Sequence, residues 1–286
     1  MSVRQIREPR AMQRTGLGWK REGKVVGLVP TMGYLHEGHL SLLHWARERC
    51  DILVLSIFVN PTQFGPAEDL DNYPSDLARD MALAQECGVD VLFAPRTDAM
   101  YNPDHGTWVT VPDLTRHLCG SSRPIHFRGV ATVVCKLFNL VQPSFSVFGE
   151  KDWQQLAVIR KMVRELDMPV RVEGRPIVRE ADGLAMSSRN VYMTPEERSA
   201  APHIQKGLGL LENLVRSGER DPKVLREAVL AYYAEHLPMG RLDYLELVDP
   251  WRIEPVTRIG AEVLAAVAMH MGASRLIDNR LIVLGS

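Results

Sequence analysis

Several features that mark specialised classes of protein are scarce or absent in this sequence. Its 34 basic and 35 acidic side chains nearly cancel, giving a formal net charge of -1 over 286 residues. Neither a large net charge nor a block of like charges is present, which argues against nucleic-acid binding and against a disordered tail. No apolar run approaches the length of a membrane-spanning helix, so we expect a soluble protein with no membrane partner.

The N-terminal region also lacks the apolar core of a secretion signal, although it is locally basic. Cysteine is scarce, and no Cys-x-x-Cys spacing occurs. The four cysteines lie inside apolar patterns, at Cys50, Cys87, Cys119 and Cys135. We therefore expect reduced packing cysteines, a cytoplasmic protein and no structural metal site.

Strand-like and helix-like segments alternate through residues 1–178. The predicted strands are Val25–Val29, Ile52–Val59, Val89–Phe93, Ser146–Phe148 and Val170–Val172. The predicted helices are Leu40–Arg49, Ser75–Cys87 with Ser75 as N-cap, one within Val130–Phe148, and Trp153–Leu166. This alternation predicts an α/β fold with a Rossmann-like, doubly wound parallel sheet, whose ligands bind at the carboxyl ends of the strands.

Residues 179–286 are predicted to form a smaller C-terminal α+β domain that covers the cleft as a lid. Helices are expected at about Pro195–Arg216 and Pro222–His236, because Thr194 and Asp221 precede prolines in N-cap patterns. Strands are expected at Tyr244–Val248, Val263–Met269 and Arg275–Asp278.

The stretch PTMGYLHEGHLSLL, from Pro30 to Leu43, follows a predicted strand and leads into a helix. A helix N-terminus supplies unpaired N–H groups, and Gly33 and Gly38 permit close approach to a phosphate. His36 and His39 lie three residues apart and can face one anion. The alternative is a glycine-containing loop with two surface histidines; the flanking strand and helix favour phosphate binding.

Two further strand exits carry polar residues. FVNPTQF places Asn60 and Gln63 at the cleft, where amides suit a ligand with a carboxylate and hydroxyls, although each residue alone is typical of a turn. FGEKDWQQL places Lys151 beside a helix start as a point charge for phosphate, with Asp152 as a helix cap or ribose acceptor and Gln155 one turn later.

Three weaker features complete the pattern. EADGLAMSSRN brings two hydroxyls and a guanidinium that suit a triphosphate, at Ser187, Ser188 and Arg189. Asp80 on the helix after FVNPTQF is a candidate for holding nucleotide-bound Mg²⁺. The basic loop RPIHFRGV, with Arg123, His126 and Arg128, is interpreted as surface charge.

Taken together and in order, the motifs PTMGYLHEGH, FVNPTQF, RPIHFRGV, KLFNLVQP, FGEKDWQQL, DGLAMSSRN and ASRLIDNR resemble the pantothenate synthetase (pantoate–β-alanine ligase) family, which is class I nucleotidyltransferase-like. The resemblance spans nearly the whole chain. It implies condensation of pantoate with β-alanine in two steps: ATP and pantoate give a pantoyl adenylate and pyrophosphate, and the amine of β-alanine then displaces AMP. It also implies a homodimer that requires Mg²⁺ with ATP.

The same resemblance implies site residues. His39 is implied as a proton donor, and Gln63 and Gln155 as pantoate contacts. From the chemistry we also expect His36, His39 and Lys151 to stabilise charge on the phosphate oxygens. From their positions we expect Asn60 to contact the substrate and Asn60–Asp71 to act as a closing loop. The implied ATP contacts are Met32, Gly33, Tyr34, Leu35, His36, Glu37, Gly38, His39, Gly149, Glu150, Lys151, Asp152, Val178, Met186, Ser187, Ser188 and Arg189.

Two residues depart from the family pattern. Ile125 stands where glycine is frequent, and Cys119 stands where some members have glutamate; both concern local packing or subunit contacts. Two other classes stay open from the sequence: a nucleotidyltransferase that passes AMP to a phosphate acceptor, and a non-catalytic nucleotide-binding module. Retention of both histidines and Lys151 argues against the second.

Overall fold

The computed structural model describes residues 3–66 and 68–284. Within them the strands are β1 (Arg4–Ile6), β2 (Val26–Thr31), β3 (Ile52–Ile57), β4 (Val91–Phe93), β5 (Phe145–Gly149), β6 (Arg171–Arg175), β7 (Gly240–Val248), β8 (Glu262–Met271) and β9 (Ser274–Val283). The helices are α1 (Pro9–Arg21), α2 (Glu37–Arg47), α3 (Leu77–Glu86), α4 (Thr97–Met100), α5 (Cys119–Ser122), α6 (His126–Val141), α7 (Trp153–Glu165), α8 (Pro195–Ala200), α9 (His203–Arg216) and α10 (Pro222–His236). Short 3₁₀ turns occur at Pro61–Gln63, Pro112–Leu114, Glu150–Asp152 and Ser188–Tyr192.

The chain divides into two compact units. The first contains residues 1–111, 123–150 and 155–176, and the second contains residues 112–122, 151–154 and 177–286. The predicted domains 1–178 and 179–286 also include residues 1, 2, 67, 285 and 286, which lie outside the described residues. Residues 112–122 and 151–154 lie within the predicted domain 1–178, but they belong to the second unit.

The first unit contains a six-stranded sheet in the order β1-β4-β3-β2-β5-β6, and all its strand pairs are parallel. The chain moves outward from β2 through β3 and β4, then returns to the other side of β2 with β5 and β6. A doubly wound sheet has its topological switch point where this reversal occurs, and ligands bind there. The predicted Rossmann-like fold is confirmed, and its switch point lies between β2 and β5.

The central strands are continuously apolar because helices cover both faces of a parallel sheet. Leu28 and Val29 of β2 and Leu53 and Leu55 of β3 are fully buried. Thr31 pairs with Ile57 at the strand ends, so the segments that follow β2 and β3 leave the sheet side by side.

Two local predictions in the first unit differ from the structure. The N-terminal region was interpreted only as basic, but it forms β1 and α1, with Pro9 at the first helical turn, where it costs no hydrogen bond. Helix α3 begins at Leu77 with Asp76 as N-cap, whose carboxylate accepts a hydrogen bond from the Arg79 N–H at 3.0 Å. Ser75 is therefore not the cap.

The second unit packs helices α8, α9 and α10 against an antiparallel sheet of order β7-β8-β9. The single predicted helix 195–216 is two helices, α8 and α9, with Pro202 as the N-cap of α9. A proline inside a helix removes a donor and clashes with the preceding turn, which explains the break. The α+β composition of this region was predicted correctly.

Among residues 3–66 and 68–284, no helix combines the length and apolar character needed to cross a membrane. All four cysteines are free thiols in the structure.

Candidate active site

The segment after β2 takes a left-handed backbone at two consecutive residues, Gly33 (φ 87°) and Tyr34 (φ 52°). The Asp80 carboxylate of α3 holds it there: one oxygen accepts the Tyr34 N–H and the other the Leu35 N–H, each at 2.8 Å. A Cβ on Gly33 would lie 3.0 Å from the Asp80 carboxylate and from Ile57. The glycine is thus needed both for its φ and for the close approach of Asp80.

The geometry gives Asp80 a structural role in this turn. Asp80 is 1% exposed, and both of its carboxylate oxygens accept backbone N–H groups, so it holds the turn at Tyr34 and Leu35 in place. Burial raises the pKa of Asp80, and the N–H groups of Leu35 and Tyr34 oppose that shift. The predicted part of Asp80 in holding nucleotide-bound Mg²⁺ stays a prediction.

His36 and His39 form a reciprocal cap at the start of α2. The Gly38 N–H donates to His36 Nδ1 at 3.1 Å, and the His36 N–H donates to His39 Nδ1 at 3.4 Å. The two rings lie 4.0 Å apart between centroids. Because Nδ1 accepts in both rings, each neutral imidazole carries its proton on Nε2 and can donate from it. The structure thus brings both predicted histidines together at a helix N-terminus.

Asn60 and Gln63 lie together after β3, as predicted, and both are buried. Asn60 Nδ2 donates to Gln63 Oε1 at 3.0 Å, and Asn60 Oδ1 accepts hydrogen bonds from Thr62 and Tyr101, each at 2.9 Å. Gln63 Nε2 contacts Met32 Sδ at 3.3 Å. Asn60 therefore holds the side-chain oxygen of Gln63. The Gln63 NH₂ is then the group that can reach a ligand beside Met32.

The interpretation of the RPIHFRGV loop as surface charge is wrong for two of its three residues. The Gln63 carbonyl accepts a hydrogen bond from buried His126 Nδ1 at 3.0 Å, and Arg123 forms a two-pronged ion pair with Glu68. Burial favours a higher pKa for Glu68, but the hydrogen bonds and charge of Arg123 outweigh it and lower the pKa. Arg128 is exposed and lies over the Trp108 ring.

These contacts fix much of the predicted closing loop Asn60–Asp71. Asn60 and Gln63 anchor its start, and Glu68 is tied to Arg123. Residue 67 of this loop lies outside the described residues.

Gly129 of α6 allows the Pro61–Gln63 turn to pack directly on the helix. A Cβ at Gly129 would lie 2.4 Å from the Thr62 carbonyl oxygen and 2.6 Å from the Gln63 nitrogen. The Gly129 carbonyl also accepts a hydrogen bond from Asn60 Nδ2 at 3.2 Å. Gly129 was not among the predicted site residues, although a glycine inside a helical pattern is itself a signal of close packing.

In the second unit, Lys151 and Asp152 lie in the Glu150–Asp152 turn just before α7. Lys151 Nζ is 4.0 Å from the Asp152 carboxylate, and its side chain is one-fifth exposed. The Lys151 carbonyl accepts a hydrogen bond from Asn279 Nδ2 at 2.8 Å. Gly149, Glu150 and Gln155 belong to the first unit, at the end of β5 and at the start of α7.

The Val178–Arg189 segment folds back on itself in the second unit. Arg179 pairs with Ala185 as an isolated antiparallel bridge, and the Met186 N–H donates to the Val178 carbonyl at 3.0 Å. Ser187 caps the following 3₁₀ turn, since its hydroxyl oxygen accepts the Arg189 N–H at 3.3 Å. The predicted residues Val178 and Met186 are thus neighbours, and the Ser187 hydroxyl keeps its own proton for donation.

A doubly wound parallel sheet with a helix N-terminus at its switch point is the architecture of nucleotide-binding α/β proteins. A family model described as pantoate-beta-alanine ligase matches residues 3–281. The chain belongs to the pantoate–β-alanine ligase family.

Relatives of high similarity agree with this assignment. The pantothenate synthetase of Maridesulfovibrio salexigens is 57% identical over 97% of this chain and 98% of its own length. The crystal structure of pantothenate synthetase from Thermus thermophilus is 45% identical, with a TM-score of 0.91 over 97% of this chain and 99% of that one. The Francisella tularensis ligase, solved with β,γ-ATP and β-alanine, is 28% identical, with a TM-score of 0.78 over 98% of both chains.

Proposed function

We propose that this protein condenses pantoate with β-alanine to give pantothenate, AMP and pyrophosphate. Family membership supports the overall reaction, and the capped histidine pair supports the first step most directly. In that step the pantoate carboxylate attacks the α-phosphorus of ATP and pyrophosphate leaves. In the second step the amine of β-alanine attacks the acyl carbon, and AMP leaves.

The first step is assigned to the N-terminus of α2. A carboxylate nucleophile needs no general base, so the main requirement is stabilisation of the charge that develops on phosphate oxygens. The Nε2–H groups of His36 and His39 would supply donors to those oxygens, and the positive end of the α2 dipole would add to their effect. This role describes His39 as a hydrogen-bond donor to phosphate; full proton transfer from it is not required.

Further ATP contacts are proposed from the motif resemblance. Gly149 ends β5 and Glu150 follows it, at the switch point of the first unit, and a Cβ at Gly149 would meet nothing within 4 Å. In the second unit the proposed contacts are Lys151, Asp152, Val178, Met186, Ser187, Ser188 and Arg189. Lys151 and Arg189 would balance phosphate charge, and the serine hydroxyls would donate to phosphate oxygens.

Pantoate binding is proposed for Gln63 and Gln155. The Gln63 NH₂ would donate to the pantoate carboxylate or a hydroxyl, since its oxygen is already held by Asn60. Asn60 is 1% exposed and all its contacts are internal, so its role is to orient Gln63. This assignment replaces direct substrate contact by Asn60.

Mg²⁺ is proposed to enter as the MgATP complex. Mg²⁺ usually keeps several waters and binds through substrate phosphates with one or two carboxylates, so a dedicated protein cage is not needed. A homodimer is proposed from the resemblance, and the covering role of residues 179–286 stays a prediction from the sequence pattern. A cytoplasmic location is supported by the four free thiols.

The test is the identity and substrate dependence of the products. Purified enzyme with MgATP, pantoate and β-alanine should release pyrophosphate continuously and form AMP and pantothenate in equal amounts. His39→Ala should retain its fold by circular dichroism and lose most of this turnover. Transfer of AMP to a phosphorylated acceptor without β-alanine would refute the proposal in favour of a nucleotidyltransferase, and ATP binding without pyrophosphate would favour a binding module.

A further inference from the structure

The ASRLIDNR motif has no role in the reaction as proposed so far. Its last seven residues, Ser274–Arg280, begin β9, and three of its polar side chains, Ser274, Asp278 and Asn279, are at most 7% exposed. Buried polar groups need hydrogen-bond partners. The partners of these three lie in the two second-unit segments that carry the proposed phosphate contacts.

Asn279 holds the Lys151 turn. Its Nδ2 donates to the Lys151 carbonyl at 2.8 Å, and its own N–H donates to Asp278 Oδ1 at 2.8 Å. The bond acts on the main chain of Lys151 and therefore sets the direction in which the side chain leaves the turn. Residue 279 lies on a strand paired along its whole length with β8, so this anchor point is rigid.

Asp278 and Ser274 hold the Val178–Arg189 segment. Both Asp278 oxygens accept hydrogen bonds from the Arg179 guanidinium, at 2.6 and 2.9 Å. Arg179 also donates to the Gly183 carbonyl at 3.1 Å, which closes the turn between the two arms of the segment. Ser274 Oγ donates to the Arg189 carbonyl at 2.9 Å, at the far end of the segment.

We propose that β9 is a common frame that fixes Lys151 and the Val178–Arg189 segment relative to each other, with Asn279 as the positioning residue for Lys151. The inference rests on the proposed function, because that function assigns phosphate contacts to both segments. Asn279 touches no substrate in this account. Adjacent residues of one strand hold both segments, so the phosphate-binding groups keep a fixed spacing.

The experiment compares Asn279→Ala and Asn279→Asp with Lys151→Ala. Adenylation is followed by pantoate-dependent exchange of labelled pyrophosphate into ATP, and the second step by attack of β-alanine on supplied pantoyl adenylate. Misplacement of a catalytic group by about 1 Å costs about 100-fold, so both Asn279 variants should lose about 100-fold in the kcat of exchange. The second step should fall much less, because it develops no charge on a departing pyrophosphate.

The double variant Asn279→Ala with Lys151→Ala distinguishes positioning from general packing. If Asn279 acts through Lys151, the double variant should exchange pyrophosphate within about twofold of Lys151→Ala alone. Asn279→Asp keeps the side chain's shape but faces the Lys151 carbonyl with an oxygen, so a packing role would leave it near wild type. This variant also covers the case in which Asn279→Ala fails to fold.

The matched control is Arg280→Met, one residue further along β9. Arg280 pairs with Glu212 of α9, away from both phosphate segments. Arg280→Met should lower thermal stability without changing the ratio between the rate of pyrophosphate exchange and the rate of β-alanine attack. Equal loss of both steps in the Asn279 variants, near-wild-type exchange in Asn279→Asp, or multiplying losses in the double variant would each overturn the inference. Absence of exchange in the wild type would instead reject the proposed function.

Discussion

Gly129→Ala tests how closely α6 must approach the Pro61–Gln63 turn. The new Cβ would lie 2.4 Å from the Thr62 carbonyl oxygen, whereas real Cβ contacts stay beyond 3.0 Å. The turn and Gln63 must therefore move by at least about 0.6 Å, because both clashing groups are backbone and cannot rotate away.

Two opposing effects set the stability change. Alanine restricts the unfolded chain and contributes about 0.4–1 kcal/mol in favour of folding. Overpacking costs about 1–3 kcal/mol and also stretches the Asn60 bond to the Gly129 carbonyl, so a net loss of about 1–2 kcal/mol is expected. Because Gln63 is proposed to hold pantoate, kcat/KM for pantoate should fall by up to about 100-fold.

The assay is steady-state pyrophosphate release against pantoate concentration, together with urea unfolding. Gly16→Ala is the matched control: its Cβ would lie 2.4 Å from the Val141 carbonyl oxygen, between α1 and α6. It should lose similar stability and keep its KM for pantoate. Equal pantoate kinetics in both variants would refute the positioning role of Gly129.

Asp80→Asn should reduce pyrophosphate exchange by about 100-fold, because an amide leaves the N–H of Tyr34 or Leu35, in the turn proposed to bind ATP, facing an NH₂ group; unchanged exchange would contradict this. Burial favours a higher pKa for Glu68, but Arg123 outweighs it and lowers the Glu68 pKa below the ordinary value of 4.5. The ion pair therefore contributes its whole stabilisation above pH 4.5 and loses it as the pH falls through the lowered pKa. The difference in unfolding free energy between wild type and Glu68→Gln should therefore shrink on acidification, and a pH-independent difference would count against it. Tyr233→Phe should lose about 1–3 kcal/mol in urea unfolding, because the buried Ile204 carbonyl loses the Tyr233 hydroxyl donor at 2.7 Å; a neutral substitution would show that another group satisfies it.

The sheet could be predicted because its buried strands are continuous apolar runs that alternate with helices. The runs at residues 25–29 and 52–59 identify β2 and β3 to within two residues at each end. The N-terminal helix was missed because only its basic residues entered the prediction, although Pro9 at its first turn was a start signal. The break at Pro202 was missed because the apolar pattern continues across it.

The histidine pair and Asn60–Gln63 could be predicted because each follows a strand end directly. The support around them depends on long-range contacts that local patterns do not contain. Asp80 lies 46 residues from Tyr34 along the chain, and Asn279 lies 128 residues from Lys151. An acidic residue on a helix and an amide on a strand have ordinary surface interpretations until the fold brings their partners to them.

Activation of pantoate as an adenylate can be tested by isotope transfer. Pantoate labelled with ¹⁸O in both carboxyl oxygens is converted with MgATP and β-alanine, and the products are analysed by mass spectrometry. Attack of the carboxylate on the α-phosphorus predicts one ¹⁸O in AMP and none in pyrophosphate. Unlabelled AMP, or ¹⁸O in inorganic phosphate with ADP as product, would contradict the account.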